Sequence, residues 1–392
     1  MTEHKTDIII FSDDRSGIPT SSMHLAEGLT QWGRVFWLNT YTRMPVFSGR
    51  DVVKAFRVLT GRSRPSATFG QNHQEADASK IPGFTPKSIP WFIPPIRKIN
   101  GVLGRSFLHR LFRDYKIQSP VLITTFPCTV DVFRAVRRET TQIYYCVDEW
   151  SELAGLHPRR WKTMEQELLE LVDGSVFTSR DLQQRKSHNR PNLYLPHGVD
   201  FEHFSGIRSN ETIPDFLASL PKPVIGFFGI IDTWVDIGVI ASLAKRFPQF
   251  SFVVVGRSAI SLDIFQGISN IHFVGPVPYS ELPRYARCFD VGLIPFMLNN
   301  LTKAVNPLKL MEYFAIGLPV ISTKLPDILD VPGPLFFAAT HQEFGDQLEM
   351  ILSQDLVTLN NEARETARNN SWAARVADFV RFVETVRSNA GR

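Results

Sequence analysis

A single carboxylate stands inside a mostly apolar segment late in the chain. Leu308, Met311 and Phe314 recur at helical spacing and predict a helix with one apolar face, and Glu312 lies within it. An unpaired carboxylate is costly in such surroundings, whereas one that accepts hydrogen bonds from hydroxyl groups is satisfied. Glu312 is therefore a candidate ligand for hydroxyl groups. The alternative is an ordinary amphipathic helix with a solvated glutamate.

The predicted start of this helix has the features of an anion site. Asn306 is the expected N-cap and Pro307 the first helical residue, while Gly317 and Pro319 end the helix before a buried strand. The first backbone N–H groups and the positive end of the helix dipole would then face the preceding loop. We expect this helix start to suit a phosphate group.

Polar residues also follow two short apolar runs, at positions 7–12 and 142–147, that have the pattern of strands buried in a parallel sheet. These residues are Asp13, Asp14 and Gly17 after the first run, and Asp148 and Glu149 after the second. Parallel sheets bind ligands at the carboxyl ends of their strands, so the sequence predicts a second group of site residues there. The alternatives are solvated loop acids after the first run and a helix-capping acid at Asp148.

Composition limits the class of protein. A chain of 392 residues exceeds the size at which one hydrophobic core stops growing, which favours two domains. No apolar run approaches the roughly 20 residues of a membrane-spanning helix, and the polar start does not have the pattern of a signal peptide, so we expect a cytoplasmic protein. The three cysteines stand far apart in apolar contexts, which predicts reduced, buried thiols. No Cys or His spacing predicts a metal site.

Positive charge and bulky apolar residues concentrate in residues 43–116, where fourteen Lys or Arg stand against four acids. Residues 52–59 and 96–112 mix the two classes at helical spacing, and residues 61–86 are polar and predict a loop. Basic amphipathic helices can lie on an anionic membrane. The other interpretation is core packing on one face with solvated cations on the other. A nucleic-acid surface is a weaker alternative, because no known nucleic-acid-binding motif accompanies the charge.

Strand and helix patterns alternate over most of the chain, which predicts an α/β fold. We expect a first domain at residues 1–200, with the basic, aromatic insertion at about 43–116, and a second domain at residues 201–371. A linker is expected at about residues 198–220, and a terminal amphipathic helix in residues 372–392.

Two consecutive stretches carry a resemblance to a known family. Residues 270–296 contain a strand, Gly-Pro, Tyr, an acid, Leu-Pro and then Asp-Val-Gly-Leu-Ile-Pro-Phe, and residues 306–323 contain Asn-Pro-x-Lys-x-x-Glu-Tyr followed by Gly-x-Pro-Val. In this order they resemble the family-4-like GT-B glycosyltransferases, and best the bacterial polysaccharide-assembly type. The resemblance implies two Rossmann-like, doubly wound domains that face a cleft, with a C-terminal helix crossing back to the first domain.

The resemblance also implies an activity of the hexosyltransferase type. A sugar would pass from a nucleotide-diphosphate sugar to an acceptor hydroxyl, in the assembly of a cell-surface polysaccharide or glycolipid. The expected partners are the nucleotide sugar, a lipid-linked acceptor and an anionic membrane on the inner face of the plasma membrane, without nucleic acid. No metal and no cofactor are expected.

Roles for individual residues follow from the same resemblance. Asp148, with Asp13, is the candidate base for the acceptor hydroxyl, and the other acceptor-side candidates are Asp14, Gly17 and Glu149. On the donor side Glu312 would bind the ribose, Gly229 would let the backbone approach the ligand, and the base would lie near Val277 and Tyr279. Backbone N–H groups near Asn306, at the start of the helix that Pro307 begins, would face the diphosphate.

The sequence departs from the family pattern at two places. Ala304 stands where relatives have a second Glu, and residues 230–234 stand where relatives have a basic pair. Neutralisation of the diphosphate would therefore depend on other cations, for which Lys303, Lys309 and Arg257 are the candidates. Two rival functions stay open: a nucleotide-sugar epimerase on the same fold, and a GT-B-like nucleotide-binding protein without catalysis.

Overall fold

A computed structural model of the chain describes residues 6–13, 19–40, 81–89, 94–153, 157–206 and 213–389. The chain divides into two compact units. The first contains Met1–Val176, Lys186–Leu193 and Val380–Arg392, and the second contains Phe177–Arg185 and Tyr194–Phe379.

The first unit is built on a seven-stranded sheet. Its strands are β1 (Thr6–Ser12), β2 (Gly33–Asn39), β3 (Gly83–Phe84), β4 (Val121–Thr124), β5 (Thr141–Cys146), β6 (Gly174–Phe177) and β7 (Asn192–Tyr194), in the order β3-β2-β1-β4-β5-β6-β7. The described pairings, β3 with β2, β2 with β1, β1 with β4 and β4 with β5, are parallel. The strand order reverses between β1 and β4, so ligands are expected outside the carboxyl ends of these strands.

Helices of the first part of the chain connect these strands. They are α1 (Ser21–Leu29), α2 (Pro94–Tyr115), α3 (Val130–Ala135), α4 (Pro158–Leu171) and α5 (Arg180–Lys186), with short 3-10 helices at Pro127–Thr129 and Trp150–Glu152. The burial of β1, where Ile8, Ile9 and Ile10 are at most 1% exposed, explains why this strand is a continuous apolar run.

The second unit has a six-stranded sheet in which every pairing is parallel. Its strands are β8 (Val224–Phe228), β9 (Ser251–Val255), β10 (Ile271–Gly275), β11 (Val291–Ile294), β12 (Val320–Thr323) and β13 (Leu335–Ala338), in the order β10-β9-β8-β11-β12-β13. The order reverses between β8 and β11. Both sheets are thus doubly wound, which confirms the predicted α/β class.

The remaining helices flank the second sheet or end the chain. They are α6 (Phe201–Ser205), α7 (Asp215–Ala218), α8 (Ile237–Arg246), α9 (Leu282–Ala286), α10 (Asn300–Lys303), α11 (Leu308–Ile316), α12 (His341–Leu352), α13 (Leu356–Asn369) and α14 (Trp372–Asn389), with 3-10 helices at Asp263–Phe265, Tyr279–Glu281 and Pro326–Ile328.

The terminal helix α14 begins in the second unit and ends in the first. In the first unit, Phe382 and Val386 pack so closely on β6 that a Cβ on Gly174 would lie 2.9 Å from each of them. Arg387 Nη1 also donates to Thr6 Oγ1 at 3.1 Å. The predicted return of the C-terminal helix to the first domain is confirmed.

The basic region differs in part from its prediction. Residues 83–84, inside the expected loop at 61–86, form β3 and pair with Trp37 and Leu38 of β2. A strand of two residues is too short to show an alternating pattern, so residue spacing could not predict it. The helix expected at residues 96–112 lies within α2, whereas the one expected at residues 52–59 falls outside the described residues. Over the described ranges, no helix is long and apolar enough to cross a membrane.

Candidate functional site

The start of α11 differs from the sequence prediction. The N-cap position is Pro307, whose carbonyl accepts from the Leu310 amide at 3.1 Å, and the helix begins at Leu308. The Asn306 side chain is used elsewhere: Nδ2 donates to Asp327 Oδ2 at 2.5 Å, and Oδ1 accepts from the His197 amide at 3.2 Å. Asn306 therefore connects the loop before α11 to two distant segments of the second unit and does not cap the helix.

Lys309 and Glu312, one turn apart on α11, form a pair of half-buried ionisable groups. Burial raises the pKa of Glu312 to about 7, against the opposing effect of the Lys309 charge. Burial likewise lowers the pKa of Lys309 to about 7, against the effect of Glu312. Within the described part of the chain, the Glu312 carboxylate accepts no hydrogen bond. Both groups thus have unused capacity: Glu312 for hydroxyl donors, and Lys309 for an anion.

The ammonium group of Lys309 lies at the carboxyl end of β8. Its Nζ is 4.2 Å from the centre of the Phe227 ring and 4.8 Å from that of Phe296, which are cation–π distances. A Cβ built on Gly229, the residue after β8, would lie 3.0 Å from Nζ. Gly229 and Lys309, two predicted donor-side residues from distant parts of the sequence, are thus brought together.

Tyr313 fixes α11 against the sheet. Its hydroxyl accepts from the Phe228 amide at 3.1 Å, and its ring lies 4.4 Å from the Phe228 ring. A Cβ on Gly292 of β11 would lie 2.9 Å from the Tyr313 ring, so glycine is needed for this close packing. The tyrosine that follows Glu312 in the sequence motif therefore positions the helix on β8 and β11.

A second glycine, Gly256, shapes the same edge and was not singled out from the sequence. A Cβ there would lie 2.0 Å from the Gly229 carbonyl oxygen, and its φ of +143° is one that residues with a side chain rarely adopt. Its amide donates to the Gly275 carbonyl at 2.9 Å. The available signal was its position directly after the apolar run of β9, the same signal that identified Gly229.

The other predicted donor-side residues are exposed to solvent or contact other parts of the second unit. Arg257 and Lys303 are exposed, and among the residues that the structure describes neither forms an ion pair with Glu312. Val277 is half-buried and packs on the core of the second unit. The Tyr279 ring stacks on His203 with ring centres 4.9 Å apart. Their proposed contacts with a donor stay predictions.

Asp148 lies at the end of β5 in the first unit and is half-buried. Burial raises the pKa of Asp148 to about 7; the charge of Lys186 opposes this rise, and those of Asp13 and Glu149 add to it. A carboxylate with a pKa near neutrality is matched to the work of a general base. Asp13, at the end of β1, accepts from Ser12 Oγ at 2.9 Å.

Glu149, an acceptor-side candidate, is buried and paired, and its contact with an acceptor stays a prediction. It is only 4% exposed, and its Oε1 accepts from Lys186 Nζ at 3.1 Å and from Ser151 Oγ at 2.7 Å. It occupies the N-cap position of the following 3-10 helix without a side-chain capping bond, which leaves no capping position for Asp148. Asp14 and Gly17, the remaining acceptor-side candidates, lie outside the residues that the structure describes.

No group of three His, Cys, Asp or Glu that could hold a metal ion occurs among the described residues. The expectation that no metal or cofactor takes part stays a prediction.

Comparison with known proteins finds a family that the second sheet and its helices resemble. The family Glycosyl transferases group 1 matches residues 222–354, which contain β8 to β13 and thus the Lys309 and Glu312 pair. The resemblance to glycosyltransferases is confirmed.

A curated relative points to the same class. The protein TuaH of Bacillus subtilis (strain 168), whose name describes a teichuronic acid biosynthesis glycosyltransferase, is 27% identical over 264 residues. The match covers 61% of this chain and 66% of TuaH, so the chain spans just under two thirds of that relative.

Solved structures share the fold over nearly the whole chain. Sucrose-phosphate synthase (tll1590) from Thermosynechococcus elongatus has a TM-score of 0.70 at 16% identity and covers 98% of this chain and 100% of its own. Anabaena Alr3699/HepE in complex with UDP-glucose has a TM-score of 0.65 at 13% identity and covers 97% and 99%. These likenesses confirm the GT-B fold.

Proposed function

We propose that this protein is a glycosyltransferase that moves a sugar from a nucleotide-diphosphate sugar to an acceptor hydroxyl. The observation that carries the proposal is the pair of Lys309 and Glu312 at the carboxyl end of β8, beside Gly229, within a group 1 glycosyltransferase match. This edge offers a carboxylate for ribose hydroxyls and a cation for a diphosphate. The solved structure of Alr3699/HepE, which holds UDP-glucose, supports a nucleotide sugar as the donor class.

The chemical step assigns one role to Asp148 and another to Lys309. The acceptor oxygen forms a bond to the anomeric carbon while the bond from that carbon to the phosphate oxygen breaks. Asp148 takes the proton of the acceptor hydroxyl as general base. The electron pair of the broken bond leaves with the nucleoside diphosphate, and Lys309 stabilises the charge that grows on it. Lys309 thereby supplies the positive charge that relatives obtain from the basic pair absent at residues 230–234.

Donor binding and turnover test this proposal. The purified protein is screened by thermal shift against UDP-, GDP- and dTDP-sugars, since a bound donor raises the melting temperature by mass action. We expect stabilisation by one of these classes and its loss in Glu312→Ala, together with loss of donor hydrolysis and transfer. Unchanged turnover in Glu312→Ala would refute the site. Release of a free sugar of changed configuration together with the nucleotide, and no transfer to any acceptor, would identify an epimerase. Binding without turnover would identify a non-catalytic protein.

We further propose that the acceptor is lipid-linked and belongs to cell-surface polysaccharide or glycolipid assembly, with the protein placed at the inner face of the plasma membrane. The name of TuaH supports the polysaccharide class. The exposed face of α2 supports the membrane: Val102 is 66% exposed and Ile99 38%, and exposed cations surround them. These cations are Lys98, Arg105, Arg110 and Arg113. Such a face suits anionic lipid headgroups.

Vesicle flotation tests the membrane surface. We expect binding to anionic vesicles at low salt that weakens as ionic strength rises, because the attraction is screened. Val102→Asp should abolish binding, whereas Val357→Asp, at a position 67% exposed on α13, should leave it unchanged. Equal binding of the two variants, or no binding by the wild type, would remove this part of the proposal.

A further inference from the structure

A buried ion cluster lies beside the end of β5 and has no role in the proposed chemistry so far. Lys186, the last residue of α5, is 9% exposed. Its ammonium group donates to both carboxylate oxygens of Glu165 at 2.8 Å and to Glu149 Oε1 at 3.1 Å. Tyr144 donates its hydroxyl to Glu165 Oε1 at 2.6 Å. One cation thus holds two buried carboxylates.

The cluster is connected to Asp148 through the chain and through space. Glu149 is the next residue after Asp148, and the Cys146 thiol lies 3.6 Å from both the Asp148 carbonyl oxygen and Glu165 Oε1. The charge of Lys186 favours the ionised form of Asp148, whereas those of Glu149 and Asp13 oppose it.

Burial of the Lys186 charge is unfavourable if only the stability of the fold is considered. Burial acts most strongly to lower the pKa of Lys186, but the surrounding Cys146, Glu165 and Glu149 raise it overall, so the amine stays protonated. A buried ion cluster of this kind is often no more stabilising than well-packed apolar residues of similar volume. Its value is therefore better explained by its bond to Glu149, the neighbour of Asp148, and by its charge, which favours the ionised form of Asp148.

We propose that Lys186 is a positioning residue for sugar transfer, which holds Glu149 in place and keeps Asp148 ionised at the pH of the reaction. The role deepens the proposed function and rests on it, because Asp148 is the base in that mechanism. The charged and polar groups of this region come from two strands, or the residues directly after them, and from two helices. They are Asp13 after β1, Tyr144 and Cys146 on β5, Glu149 after β5, Glu165 on α4 and Lys186 on α5.

Two substitutions should shift the pKa of Asp148 in opposite directions. Lys186→Met removes the cation and leaves the carboxylates, so the pH at which Asp148 loses its proton should rise by about one unit. Glu149→Gln removes a negative charge and should lower that pH by a similar amount. Lys162→Met, an exposed position on α4, is the matched control and should not move it.

The full-length protein with carboxyl-labelled aspartate is titrated by NMR, and Asp148→Asn assigns the signal. The same variants are assayed for transfer from pH 5.5 to 8.5 with the donor found in the thermal-shift screen. We expect the NMR midpoint and the acid limb of the pH–rate profile to shift together, upward in Lys186→Met and downward in Glu149→Gln. A merely structural role would lower the rate at all pH values without shifting the limb.

The outcomes separate this inference from the proposed function. Transfer activity with an Asp148 midpoint that does not move in either variant overturns the role of Lys186 and leaves the function intact. Midpoints that shift as expected while the pH–rate limb stays fixed support the electrostatic link but reject Asp148 as the base. Should Lys186→Met fail to fold, Glu149→Gln decides alone, because a midpoint that stays or rises in that variant contradicts the proposal.

Discussion

Replacing Lys309 by methionine should weaken donor binding strongly with little effect on the fold. Methionine keeps most of the apolar contact with the Phe227 and Phe296 rings, against which the ammonium lies at 4.2 and 4.8 Å. The change removes the positive charge next to Gly229 without opening a large space. The bound diphosphate would then lose its nearest cation.

The size of the loss follows from the electrostatics of the site. At a separation of about 4 Å and an effective dielectric constant of about 20, two unit charges attract by about 4 kcal/mol. Removing water from the ammonium and the phosphate offsets part of this attraction. We therefore expect Lys309→Met to lose about 2–3 kcal/mol of binding free energy, or about 30- to 150-fold in Kd. Lys245→Met, at an exposed position at the end of α8, is the matched control and should bind the donor normally.

The pH dependence of binding gives an independent check. In the empty site, burial lowers the pKa of Lys309 to about 7, whereas a bound diphosphate would favour the charged form and raise that pKa. Binding above pH 7 therefore takes up a proton, and affinity should fall as pH rises, by at most about tenfold per pH unit. Titration calorimetry from pH 7.5 to 8.5, where Glu312 is mostly ionised, should show this fall in affinity in the wild type and its loss in Lys309→Met. A flat wild-type profile, or normal binding by Lys309→Met, would refute the role of Lys309.

Three further predictions concern the support of the donor edge. Tyr313→Phe leaves the Phe228 amide without its 3.1 Å acceptor and should lower the free energy of unfolding by about 1–2 kcal/mol, measured by urea denaturation. Asn306→Ala breaks two side-chain bonds in the loop before α11 and should weaken donor binding several-fold in the thermal-shift assay, with kcat less affected than KM. Gly226→Ala would place a Cβ 1.9 Å from the Phe289 ring and should destabilise by about 1–3 kcal/mol or more, so an unchanged melting temperature would contradict the packing.

The elements that the sequence could predict are those with a clear local pattern. β1 is apolar on both faces because helices cover a parallel sheet on both sides, and its residues from Ile8 to Phe11 are at most 3% exposed. The helix α4 runs from Pro158 to Leu171, and both the proline at its start and the apolar face along it are local signals in the sequence. Such signals depend only on neighbours in the sequence.

The misses depend on partners that are distant in the sequence. Asn306 has the residue type and position of an N-cap, but Asp327, 21 residues on, and the His197 amide, 109 residues before, take its side chain. Lys186 follows Arg185 at a helix end and has the pattern of a solvated residue. Its ammonium group is instead bonded to Glu149 and Glu165, which lie 37 and 21 residues before it in the sequence. Local spacing contains no information about these contacts.

A crystal structure of the protein with a bound nucleotide sugar, or with the corresponding nucleoside diphosphate, tests the central claim most directly. We expect the ribose hydroxyls to donate to the Glu312 carboxylate and the diphosphate to lie within about 3 Å of Lys309 Nζ, beside Gly229. A nucleotide bound elsewhere, with Glu312 and Lys309 more than about 6 Å from its ribose and phosphates, would contradict the account.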